Sequence, residues 1–152
     1  MTNPGSRPTR VPPRPVPLAM LRSIITVHAL AVSVQPMLAG QFLSGNFDMV
    51  EVHGVVALLV TLLALTQILF AVLLWRPGRG PLWPVGASLL VFLAEGLQTG
   101  VGYARLLSLH VPLGVAIFGI MLLLLVWVWR PRLGVPPKAG TGSTPTTSAA
   151  TR

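Results

Sequence analysis

Cysteine is absent from this 152-residue chain. That removes disulfides, thiolate metal sites, iron–sulfur ligation and thiol nucleophiles from consideration. Acids are nearly absent too, the three being Asp48, Glu51 and Glu95. Charged residues make up 9% of the chain, against about 25% in an ordinary soluble domain. Such a chain cannot present a solvated surface on every side, so lipid must be its solvent over much of its area. No Gly-x-x-x-x-Gly-Lys loop occurs and no grouping suits hydrolysis, which points away from an enzyme. The net charge of +8 does not signal nucleic acid. The basic residues sit at the ends of apolar runs, where they orient a membrane protein.

What the chain has is long apolar stretches, with 53% hydrophobic residues overall. A hydrocarbon core about 30 Å thick is crossed by roughly 20 apolar helical residues, and four segments qualify: 18–39, 52–75, 82–103 and 108–129. The link Arg76-Pro-Gly-Arg-Gly-Pro81 is short and helix-breaking, so its flanking helices are antiparallel neighbours. These features predict an all-α fold, a transmembrane four-helix up-down bundle over 18–130. Residues 1–17, with six prolines, and the Gly/Pro/Thr/Ser-rich 131–152 are expected to be disordered tails. The first apolar run is of spanning length, contains His28 and lacks a convincing A-x-A site, so it is expected to remain as a span.

Ten of the eleven basic residues share one side of this topology: Arg7, Arg10, Arg14, Arg22, Arg76, Arg79, Arg130, Arg132, Lys138 and Arg152. Only Arg105 lies on the other. The positive-inside rule then predicts a multi-pass protein of the cytoplasmic membrane with both termini cytoplasmic. Trp75, Trp83, Trp127 and Trp129 should form an interfacial belt at that face. The stretch "GQFLSGNFDMVEVHG" (40–54) falls on the outer face, and Asp48 with Glu51 reads as a capping box opening the second span.

A pattern repeats within the chain. "QPMLAG" (35–40) and "QTGVG" (98–102) both read Gln-x-x-(Leu/Val)-small, and each precedes an outer loop. "HGVVA" (53–57) and "HVPLG" (110–114) follow those loops, both reading His-x-x-x-small. The chain thus looks like two similar helical hairpins. His53 and His110 should lie at equal depth near the outer face, on diagonal helices. Adjacent axes about 8–10 Å apart put that diagonal at roughly 11–14 Å, a span that two imidazoles can bridge through one haem iron. Ala57 and Gly114, one turn inward of each histidine, would leave room for a flat macrocycle. Pro112 is expected in the first turn of the fourth span, where its missing N–H costs nothing. The same histidines could instead hydrogen-bond to loops or water and bind nothing, so both readings stay open. A mononuclear zinc or copper site is less suited, because the remaining histidine, His28, lies about 18 Å from that level along its helix.

The paired pattern resembles one half of the haem A synthase family. Its eight spans form two four-helix bundles, with histidine ligands on the second and fourth spans of each. Gln-x-x-x-Gly motifs end the preceding helices. The resemblance runs from Gln35 into the fourth span and implies His53 and His110 as ligands of haem b. Gln35 and Gln98 would stand in the glutamine motifs, and Glu51 for the family's carboxylate ahead of the first histidine. That carboxylate usually stands three positions ahead, whereas Glu51 stands two ahead, and Gly54 occupies a place where arginine is frequent. The chain is also similar to small four-span integral membrane proteins of bacteria, a likeness that implies no activity.

Polar residues within apolar spans are costly and mark function. His28 and Glu95 lie near the middle of the first and third spans, where they could meet as a buried pair or a proton relay, or be satisfied separately. Thr26, Ser33, Thr61, Thr66, Gln67 and Ser88 add polar atoms. Gly96 and Gly100 form a small-xxx-small face, so the third span is expected to be the most buried or to pair with another copy. Three functions follow: a haem b electron-transfer protein, a cofactor-free structural or interaction protein, and a small proton-coupled carrier built on His28 and Glu95.

Overall fold

Four helices follow one another with no strand between them: α1 (Pro15–Leu43), α2 (Met49–Trp75), α3 (Trp83–Tyr103) and α4 (Leu107–Val128). The computed structural model describes residues 15–131, so the expected tails lie outside the described residues except for positions 15–17 and 131. Every one of the four helices is long and apolar enough to cross a membrane. Each packs on its neighbour in sequence and α4 closes the ring onto α1, which is an up-down-up-down bundle. One end carries the α1–α2 and α3–α4 links. The other carries the α2–α3 link with the start of α1 and the end of α4.

The helices are apolar on their outer faces as well as inside. Leu58, Leu62, Leu93 and Leu123 are all at least half exposed, an arrangement that only a lipid solvent tolerates across so many positions. The interior is marked by tight stripes at three- and four-residue spacing. They are Leu18, Leu21, Ile25, His28 and Val32 on α1; Val60, Ala64, Gln67, Ala71 and Leu74 on α2; and Pro84, Ser88, Val91 and Glu95 on α3. Each of these stripes carries polar residues, and those four, His28, Gln67, Ser88 and Glu95, are the buried polar set of the described chain.

Several local expectations are corrected. α1 starts three residues earlier than the expected span, with Pro15 and Pro17 in its first turn, where proline is tolerated. The capping box does not form. Asp48 takes helical dihedrals (φ −65°, ψ −24°) and its side chain caps nothing, because an N-cap side chain reaches the helix amides from an extended backbone. Backbone carbonyls of Asn46, Phe47 and Asp48 take the N–H groups of Met49, Val50 and Glu51 instead. Pro112 lies inside α4 rather than in its first turn, so the Ser108 carbonyl loses its partner four residues on.

Gly96 and Gly100 are exposed and meet no atom of the chain, so they do not serve close packing within the bundle. The most buried span is α1, with 33% of its apolar window inside against 22% for each of the others, α3 included. Its central place comes from contacts with both α2 and α4 together with a longer buried stripe.

Aromatic residues close the end that carries the termini. Trp83 and Trp127 meet edge to face at 4.2 Å between ring centres. Arg22 lies over Trp129, whose Nε1 donates to Thr26 Oγ1 at 3.1 Å, and Arg76 lies over Trp75.

Candidate functional site

His53 stands on the second turn of α2 and His110 on the first turn of α4. The two helices are diagonal in the ring, yet their imidazole centres lie 6.3 Å apart with planes at 54°. Both rings are half-buried at the two-link end. Gln98, on α3, fixes the second ring: His110 Nδ1 lies 2.9 Å from the Gln98 carbonyl oxygen. A carbonyl only accepts, so Nδ1 carries the hydrogen, and in neutral His110 the lone pair is on Nε2. Gln35, on α1, places its backbone beside His53 in the corresponding position, but His53 Nδ1 closes no hydrogen bond.

The two glutamine side chains share a further property. Gln35 Oε1 and Gln98 Oε1 are buried and take no partner. With His53 Nδ1 they make three unpaired buried polar atoms in one layer of the bundle. Buried polar atoms are nearly always paired in folded proteins, and this layer holds three of the four buried side-chain polar atoms left unpaired among the described residues.

Two glycines shape it. A Cβ at Gly102 would come within 2.9 Å of His110 Cε1, so the absence of a side chain there lets the ring lie against α3. The volume in front of Gly114 is taken by Gln98 Nε2, 2.8 Å from where a Cβ would stand. The room expected there for a macrocycle therefore holds an amide. Ala57 is half-buried on α2, one turn below His53. Glu51 is exposed, and its side chain joins no hydrogen bond or ion pair among the described residues. Two residues before His53 on a helix, it projects to nearly the opposite side, so the structure does not bring it to the pair.

No family model, curated protein or solved structure matches the chain. Among the described residues no three histidine, aspartate or glutamate side chains gather as a metal cage. Any metal held by this layer would rest on two imidazoles and a ligand set supplied from elsewhere.

A second polar group lies deeper. His28 Nε2 is 2.8 Å from Glu95 Oε1, His28 Nδ1 is 2.9 Å from Gln67 Oε1, and Gln67 Nε2 is 3.1 Å from Ser88 Oγ. The structure thus brings His28 and Glu95 together and adds Gln67 and Ser88, which the sequence offers only as scattered polar positions. Their spacing from buried neighbours was the available signal. Gln67 is three residues from Ala64 and four from Ala71, and Ser88 is four from Pro84 and three from Val91, so both lie on core stripes. Gly102 closes the QTGVG motif, but its contact with His110 is not legible there, since it depends on a ring from another helix.

Proposed function

We propose that the chain is an integral membrane protein that holds a b-type haem between His53 and His110 and transfers electrons at the two-link end of the bundle. The ring spacing carries the reading. A metal–imidazole bond of about 2.0 Å on each side, with roughly 1 Å from each nitrogen to its ring centre, gives a separation near 6 Å. The observed 6.3 Å agrees. The Gln98 carbonyl supports it too, because metal-bound histidines commonly donate their other ring N–H to a carbonyl, which orients the ring.

In this reading His53 and His110 would hold the haem iron, and the haem when bound would supply one-electron chemistry there. Gln98 keeps the His110 lone pair on Nε2. Gly102 keeps the ring's seat open, and haem binding would require the Gln98 side chain to move off Gly114. With the basic residues on the cytoplasmic side, the pair would face outward.

Absorbance decides the matter. Protein purified from haem-replete cells should be red, and its Soret band should vanish in both His53→Ala and His110→Ala. A colourless wild-type preparation would remove the haem reading and leave a structural or interaction protein.

A further inference from the structure

We infer that the buried His28–Glu95 pair is a proton-binding site, with one exchangeable proton held between the imidazole and the carboxyl. The inference goes beyond the haem reading and needs no haem.

The pair is sealed from solvent, with His28 0% and Glu95 4% exposed. The elements around it bring no compensating charge. On α1 the nearest other ionisable residue is Arg22, whose Nε donates to the Val128 carbonyl at the end that carries the termini. The buried residues of α2 include one polar group, Gln67, and those of α3 add Ser88. From α4 the buried residues are Ile117, Met121, Leu124 and Val128, all apolar. His110 belongs to the other site, at the link end. Net neutrality within the group is therefore the low-energy condition, because an unpaired buried charge costs several kcal/mol.

Proton counting then limits the states. With Gln67 Oε1 toward His28 Nδ1, the ring must carry hydrogen at Nδ1. One more proton fills the 2.8 Å contact between Nε2 and Glu95 Oε1. It resides on Glu95, leaving both groups neutral, or on Nε2, leaving an ion pair. Both forms sum to zero.

Removal of that proton leaves one negative charge, on Glu95, but does not break the chain. If the Gln67 amide turns over, its NH₂ donates to Nδ1 and its carbonyl accepts from the Ser88 hydroxyl. Neutral His28 then donates from Nε2 to a Glu95 carboxylate. Gln67 and Ser88 can each serve in both roles. The group therefore has two complete hydrogen-bond arrangements that differ by one proton, whereas a clamp requires only one.

Unpaired acceptors continue beyond the pair on α3. Glu95 Oε2 is buried and has no partner in the protein. Gln98 lies three residues further along α3, about 4.5 Å toward the two-link end, and its Oε1 is likewise unpaired.

The test uses full-length protein in lipid nanodiscs, followed by infrared difference spectroscopy from about pH 4 to about pH 10. Subtracting the Glu95→Gln spectrum removes the exposed carboxyls of Asp48 and Glu51. The expected result is a carboxyl C=O band of Glu95 that shifts in D₂O and titrates reversibly while helical circular dichroism is unchanged. Gln67→Leu, which cannot make the exchange, should alter the proton affinity of that band at least tenfold. If Glu95→Gln does not fold, ¹⁵N-histidine spectra of the unmodified protein should show one buried ring changing its hydrogen-bonded nitrogen over the same range. A Glu95 band and a buried ring that both stay constant across the range would overturn the inference, leaving a fixed hydrogen-bonded clamp.

Discussion

His110 illustrates how little of a site is the ligand itself. Its useful lone pair is set by a carbonyl from α3 and its position by the missing side chain of Gly102. Gly102→Ala should therefore reduce haem loading severalfold, read as Soret absorbance per protein, while helicity is retained. Colour as full as in the wild type would show that the ring need not lie against α3. His28 makes the complementary point for the deeper group. His28→Leu leaves Glu95 Oε1 and Gln67 Oε1 without their partner and should lower unfolding stability by about 1–3 kcal/mol. The double variant His28→Leu with Glu95→Leu should recover part of that loss, since an apolar pair can replace a buried polar one at little cost. Denaturation of His28→Leu, Glu95→Leu and the double variant in detergent compares them directly, and an additive loss would mean that the pair is not coupled.

Among the elements, the α2–α3 link is the most tightly specified. Gly78 N–H donates to the Leu73 carbonyl and Gly80 N–H to the Leu74 carbonyl, at 3.0 and 2.7 Å. A Cβ at Gly78 would collide with the backbone of Leu74, which cannot give way as a flexible side chain would. Gly78→Ala should cost about 1–3 kcal/mol, measured by thermal unfolding. Gly96→Ala, whose new methyl meets nothing in the chain, should leave the isolated bundle unaffected. The four spans were legible as elements because hydropathy and the Arg-Pro-Gly-rich link mark them in one dimension. The helix starts were less so. Asp48 and Glu51 carry a capping-box pattern, but a run of backbone turns from Asn46 to Asp48 satisfies the same N–H groups without their side chains.

For the whole molecule, the distribution of basic residues predicts a direction of insertion that a cysteine-free chain makes simple to measure. Ser44 lies in the α1–α2 link and Pro81 in the α2–α3 link, and both are exposed. In intact cells a membrane-impermeant thiol reagent should label Ser44→Cys and leave Pro81→Cys unlabelled until the cells are opened. The reverse pattern would invert the bundle and place the histidine layer on the cytoplasmic side.

Composition and hydropathy by themselves determined the fold class, the number of helices and their antiparallel order, because burial in lipid demands apolar runs of a set length whatever their neighbours. The equal depth of His53 and His110 followed as well, from counting residues inward from each link. Tertiary structure alone decided how each helix is rotated about its own axis. When both faces of a helix are apolar, no polar stripe in the sequence announces which side faces inward, and packing makes the choice. That rotation turned Glu51, Gly96 and Gly100 outward, brought His53 and His110 to 6.3 Å, and joined His28, Glu95, Gln67 and Ser88 into one chain.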